Sequence, residues 1–390
     1  MQQAGSPTPP PSRAGEGATQ VRSPGSDAHR APAATDAGNG TAPAASTSRH
    51  DDYHRASARR LLLIGVACVL LVTLLLLDLT TGPSGMPFAD VWRGLKAGPN
   101  GGDLDVATIL WQLRMPQTLM GALVGACLGL AGLQMQTILG NPLASPFTLG
   151  ISSAAAFGAS LALVLDLSLP GLPPGWAVAG NAFLFAILSA VLLDVLARWG
   201  GMSGSGMVLV GIALVFTFNA LVSLMQYIAS AEDLQNLVFW TMGSLSRATW
   251  AKVGGMLLAV AVILPFCLKD AWKLTALRLG EERALSFGID VKRQRLVSLL
   301  RISFLAALAV SMVGTISFIG LIAPHIARRL FGEDHRFYLL GSALIGAMIL
   351  SLASMASKNI VEGVIVPVGI VTSLVGVPFF VSVVMRRRAD

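Results

Sequence analysis

The residues best able to do chemistry are few, and their spacing points away from catalysis. Five histidines stand at His29, His50, His54, His325 and His335. Apart from His50 and His54, four residues apart in the polar N-terminal stretch, no two are set at the steps that bring imidazoles onto one metal, and the five together show no metal-ligand pattern. Cys68, Cys127 and Cys267 lie in or beside apolar runs with no Cys-x-x-Cys step, so they read as packed or lipid-buried thiols. There is no Gly-Lys dipeptide, hence no phosphate-cradling loop, and neither His-Glu-x-x-His nor Gly-x-Ser-x-Gly occurs. The sequence therefore offers no catalytic residue and no metal site. If such a chain drives transport, the energy comes from a partner.

Two polar features remain. Residues 269–288 read as two short helices, each ended by a glycine, Gly280 and Gly288. Glu281 and Glu282, followed by Arg283 and Ala284, open the second helix, where the helix dipole favours acids. This pattern predicts a rigid polar knob of two capped helices. The second feature is a set of polar residues where apolar runs are interrupted: Gln136 and Asn141-Pro142 in the first half, Pro324-His325 in the second. Such residues commonly satisfy backbone groups freed by a broken helix. His325 is almost the only ionisable group inside a span, whereas ion-coupled carriers normally hold several.

The elements that must position these residues are membrane helices. The chain has 390 residues, 54% of them hydrophobic and 13% charged, with a mean hydropathy of +0.67. A soluble domain cannot hide that much apolar surface. Residues 1–60 are rich in Ala, Pro, Ser, Thr and Gly, and predict a disordered tail without the apolar core of a secretory signal. From Leu61 onward, apolar runs long enough to cross a bilayer follow one another to Met385, about ten in all. The run at Gly320–Leu330 is short and joins its neighbour through a glycine.

With both termini placed inside, Arg55, Arg59, Arg60, Arg198, the basic residues between 269 and 301, Arg328, Arg329, Arg336 and Arg386–Arg388 share one side. Only Arg93, Lys96, Arg114, Arg247, Lys252 and Lys358 fall on the other. This asymmetry predicts cytoplasmic termini and a 386–390 basic end inside. The net charge of +7 thus orients the chain in a membrane and is no nucleic-acid patch. Gly121, Gly125 and Gly129 form one small-residue stripe, and Ser342 with Gly346 a second; both predict close helix packing. A glycine-rich span followed by a break recurs in the two halves with opposite starting sides, as in an inverted repeat.

Several blocks resemble one family. Arg114-Met-Pro-Gln-Thr-Leu, Gly125-Ala, Gln136, Asn141-Pro-Leu-Ala-Ser-Pro, Trp240-Thr-Met-Gly-Ser-Leu-Ser and Leu279 through Gly288 are similar to segments of FecCD-type permeases of ABC importers. So are Gly314 through Arg328, Gly332-Glu-Asp-His-Arg336 and Pro367-Val-Gly369 through Phe380, all in family order. These permeases serve siderophore, haem and cobalamin uptake. The resemblance implies an all-α polytopic fold of the type II importer kind, with a permease domain at 61–385. It implies a second permease subunit (identical or related), cytosolic ATPase subunits carrying the ATP and magnesium, and an extracytoplasmic binding protein. No cofactor is then bound by this chain, and it is not an enzyme.

Carried over residue by residue, the resemblance places ATPase coupling on Gly280, Glu281, Glu282, Arg283, Ala284 and Gly288. Binding-protein docking falls on Arg114, Gln117 and Lys358, and the translocation path or its structural motifs on Gln136, Asn141, Pro142, Pro324, His325, Pro367 and Gly369. The sequence departs from the family where Gln117 replaces a second arginine, where Asp-x-x-x-Arg becomes Ser354-Met-Ala-Ser-Lys358, and where Ile365 replaces a glutamate. These departures bear on docking rather than on fold. An iron–siderophore permease of the inner membrane is the expectation, with haem and cobalamin next. An ion-coupled secondary transporter is the alternative, and a membrane anchor or receptor a third reading.

Overall fold

Apolar runs separated by Gly, Pro and polar turns fold, in the computed structural model, into helices and little else. The structure describes residues 44–386 apart from Ser84, Gly102 and Ser203. The tail expected at 1–60 thus lies largely outside the described residues. Its last part, from Ala44, is already helix, because Ala and Arg are good helix formers and an apolar span beside them supplies the nucleus.

The order begins with α1 (Ala44–Thr80), whose part Ser57–Thr80 is long and apolar enough to cross a membrane. A short amphipathic helix, α2 (Phe88–Ala97), follows. One turn, α3 (Leu104–Ala107), then runs without a break into α4 (Met115–Ile138). Between them Thr108–Arg114 is wound wide, as a π-helix. Pro116 has no N–H to give to the preceding turn, and a widened ladder steps around the missing bond.

α5 (Ile151–Val164), α6 (Ala177–Trp199) and α7 (Gly204–Ile228) complete the first half. A tight turn, Pro146–Leu149, and Gly150 at φ +85° precede α5. Next come α8 (Ala231–Thr241), α9 (Trp250–Lys269), α10 (Ala271–Arg278) and α11 (Glu281–Ser286). α12 (Val291–Val313), α13 (Ile319–Phe331), α14 (His335–Asn359) and α15 (Val368–Arg386) end the chain.

Among the described residues seven helices have the length and apolarity to span a membrane, and Ile151–Val164 and Val368–Val383 are shorter apolar helices. Together with α13 they account for each apolar run read in the sequence. Their outward faces are apolar and open: Leu62 is 67% exposed, Phe216 71% and Leu374 68%. In lipid such surfaces carry no penalty, so packing must come from close backbone approach.

α4 supplies that approach. A Cβ on Gly125 would collide with the Gly346 carbonyl, one on Gly129 with the Ser342 carbonyl, and one on Gly132 with the Gly320 carbonyl. The Ser342 hydroxyl donates to the Gly129 carbonyl at 2.8 Å. The two small-residue stripes read separately in the sequence are therefore each other's partner, α4 against α14, and Gly132 extends the seam to α13.

Candidate functional site

The polar loop between α9 and α12 is built as two capped helices. Leu274, Ala276 and Leu277 of α10 and Ala284 of α11 are buried. Gly280 takes φ +115° and Gly288 φ +75°, conformations that side-chain-bearing residues resist. After α11, Gly288 N–H donates to the Leu285 carbonyl and Ile289 N–H to the Ala284 carbonyl, the paired bonds of a Schellman end.

Ion pairs hold the knob against the bundle. Arg295 of α12 forks onto Glu281 at 3.0 and 3.2 Å while its Nε donates to the Ile138 carbonyl at the end of α4. Arg278 grips Glu333 with two bonds of 3.0 Å, and Arg328 joins the same carboxylate. Burial opposes ionisation of Glu333, but these two guanidiniums outweigh it and hold its carboxyl below the usual range. Asp270, likewise penalised by burial, is held down by Lys273 and Arg301. Beside the exposed Glu281, Glu282 and Arg283, the knob leaves three large apolar side chains open: Leu279 is 54%, Leu285 58% and Phe287 60% exposed.

His335 ties these parts together. It is fully buried, with Nε2 2.9 Å from Thr137 Oγ1 on α4 and Nδ1 3.1 Å from Thr275 Oγ1 on α10. The sequence pointed to His335 only as part of a motif. Its spacing to Thr137 and Thr275 was the missing signal, and it exists only in the fold.

The interrupted spans form two further sites. Pro142, Leu143, Leu321, Ile322, His325 and Phe379 line a small recess, with the His325 ring edge-on to Phe379 at 5.9 Å. Neither His325 Nε2 nor Gln136 Nε2 has a hydrogen-bond partner among the described residues. Asn141 turns inward on its own loop, accepting from Leu143 N–H, and Pro324 is buried in α13. Pro367 and Gly369 lie elsewhere. Gly369 N–H donates to the Gly243 carbonyl at 3.3 Å, and a Cβ on Gly369 would strike the Met242 carbonyl. Gly314 sits equally close to the Trp240 carbonyl, so three motifs distant in sequence meet at one backbone junction.

At the end of the bundle opposite the knob lies a buried charge cluster. Asp78, wholly buried at the end of α1, accepts from Thr118 Oγ1, from Ser354 Oγ at 3.0 Å and from Lys358 Nζ at 2.8 Å. Arg114 donates to the Leu79 carbonyl at 2.6 Å.

Residues 69–386 match the model of the FecCD transport family. The chain belongs to that family. Over 331 residues it is 35% identical to the hemin transport system permease protein HmuU of Yersinia pestis, covering 84% of this chain and 96% of that one. It is 37% identical to the vitamin B12 import system permease protein BtuC of Pectobacterium atrosepticum, covering 72% and 83%. Among solved structures, an inward-facing metal-chelate type ABC transporter aligns with a TM-score of 0.71 and 28% identity, covering 84% and 99%. This FecCD chain is accordingly a permease subunit of an ABC importer, a transport component and not an enzyme. The secondary-transporter and receptor readings fall with that membership.

Set against the family's pattern, the FecCD chain brings some site residues together and separates others. Gly280, Glu281, Glu282, Arg283 and Gly288 share one exposed stretch with Ala284 buried beneath it, and Glu281, though open to solvent, is also held by Arg295 of α12. Pro142 and His325 share a recess. Arg114 and Lys358 are not open rim charges: they are 5% and 6% exposed, and Gln117 is half-buried. The carboxylate that draws them in is Asp78, a residue the sequence reading passed over inside its first span.

Proposed function

We propose that this FecCD chain is the membrane pathway for import of an iron chelate, an iron–siderophore first and haem or cobalamin as the related cargoes. The observation that carries the coupling half of this reading is the α10–α11 knob. It is two short helices locked by glycine caps and arginine forks, presenting Leu279, Leu285 and Phe287 outward. A stiff knob with an apolar tip transmits force to a groove on a partner, whereas a flexible loop would dissipate it. The partner is an ATPase subunit that holds the ATP and magnesium, so the knob end faces the cytoplasm and the termini with it. That orientation agrees with the Lys and Arg asymmetry.

The cargo half rests on the relatives. HmuU is a permease for hemin and BtuC one for vitamin B12, each a metal held inside an organic chelator. Passage of a whole chelate requires no metal ligands along the path, and the recess beside His325 is walled mainly by apolar side chains. The extracytoplasmic binding protein docks at the opposite end. There Arg114 and Lys358 set the shape of the docking surface from within, and Gln117 is the more open of the three.

Reconstitution of the permease with its ATPase and binding protein in liposomes tests both halves. ATP-dependent uptake of an iron–siderophore, in preference to hemin and cobalamin, is expected. Uptake of cobalamin alone would overturn the iron assignment while leaving the coupling reading intact.

A further inference from the structure

We propose that the recess between α1 and α13 binds the phosphate of an anionic phospholipid. The recess, of about 260 Å³, is lined by Arg59, Arg60 and Leu63 from α1 and by Arg329, Leu330, Phe331 and Gly332 from the end of α13. It sits where the apolar part of α1 begins and α13 ends, which is the level of the headgroups at the membrane surface.

The charges there are unbalanced. Among the described residues no carboxylate pairs with Arg59, Arg60 or Arg329, and the adjacent acid, Glu333, is already taken by Arg278 and Arg328. The dipole at the end of α13 accounts for basic residues on that helix, and the topology rule for basic residues at the start of α1. Neither accounts for guanidiniums from both helices sharing one recess, since like charges repel unless an anion lies between them.

Packing holds the recess in shape. The Arg60 guanidinium lies 5.6 Å from the centre of the Phe337 ring, and Gly332 leaves it room, since a Cβ there would stand 3.1 Å from Arg60 Nη2. Arginine matches a phosphate with two parallel bonds, which lysine cannot do. One side of the site is apolar: Leu330 is 48% exposed, and Leu61 and Leu62 next on α1 are 60% and 67% exposed. Arginines over an apolar wall suit a phosphate carrying acyl chains better than a free one. The site is independent of which chelate is transported.

The test uses the full chain, titrated with dioleoylphosphatidylglycerol and followed by native mass spectrometry, with melting measured in nanodiscs. Wild type should retain the lipid and melt higher in phosphatidylglycerol-containing discs than in pure phosphatidylcholine. Arg59→Gln/Arg329→Gln should bind about thirtyfold more weakly, and Arg93→Gln, at the other end, should match wild type. Arg59→Lys/Arg329→Lys keeps the charge that orients α1, so it inserts normally and should fall between the two. Unchanged affinity in both double variants overturns the proposal. So does an equal rise in melting from inorganic phosphate in pure phosphatidylcholine discs, which would make the recess a site for free anions.

Discussion

Lys358 Nζ stands 2.8 Å from Asp78 Oδ1, with the two side chains 4% and 0% exposed. This pair joins the end of α1 to the end of α14, and Thr118 and Ser354 complete the carboxylate's hydrogen bonds. Removing one member of such a pair leaves a buried charge without compensation, at a cost of about 3–5 kcal/mol. Lys358→Met should therefore destabilise strongly, and Asp78→Asn/Lys358→Met should recover much of the loss. Denaturation of the detergent-solubilised permease, run as a double-mutant cycle, measures this; additive losses would mean the two residues do not act as a pair.

Gly288 has open space where a Cβ would go but sits at φ +75°. A Cβ there meets no neighbour, so the main cost of a valine is the left-handed backbone, roughly 1–2 kcal/mol. Gly288→Val should loosen the knob, lowering transport-coupled ATP hydrolysis while membrane insertion and abundance persist. Gly254→Val is the control, since that helical glycine also has open space and lacks a positive φ. Equal coupling in the two variants would detach the knob's rigidity from its role.

The α4 seam is less forgiving. At Gly132 the obstacle to a Cβ is the Gly320 backbone, whereas at Gly121 it is the flexible end of Leu245 at 3.2 Å. Gly132→Val should cost at least about 1–3 kcal/mol, as overpacking does, and Gly121→Ala a good deal less. Melting temperatures of the purified variants give the ordering, and its reversal would mean that α4 and α13 are not in contact as described.

Glu333 carries the pH dependence of the knob's anchorage. Its carboxyl is held below the ordinary range by Arg278 and Arg328, so its contribution is complete above the unfolded pKa of about 4.3. It is lost as pH falls through the lower folded value. Hydrogen exchange at the α10 and α11 amides should accelerate below that range, and in Glu333→Gln it should already be faster at neutral pH. Exchange in Glu333→Gln identical to wild type at neutral pH would count against the anchorage.

The long apolar helices, the glycine caps of the knob and the small-residue stripes were legible in the sequence, whereas α2, α8 and the start of α1 were not. Each legible feature is a local property: apolar run length against bilayer thickness, the steric freedom of glycine, and the 3.6-residue repeat. The family blocks were legible for the same reason, as contiguous stretches of chain. The tertiary structure decided which stripe meets which, since Gly125 finds Gly346 only when α4 and α14 are side by side. It also decided the fate of the charges. Read along the chain, Arg114 and Lys358 are cations near span ends with every reason to face solvent, and Asp78 is one acid at the edge of an apolar run. Only folding brings the acid within bonding distance of the lysine, and a charge that finds a partner inside the protein can remain there. His335 between Thr137 and Thr275 follows the same logic: side-chain hydrogen bonds are settled by three-dimensional distance, which no spacing along the chain encodes.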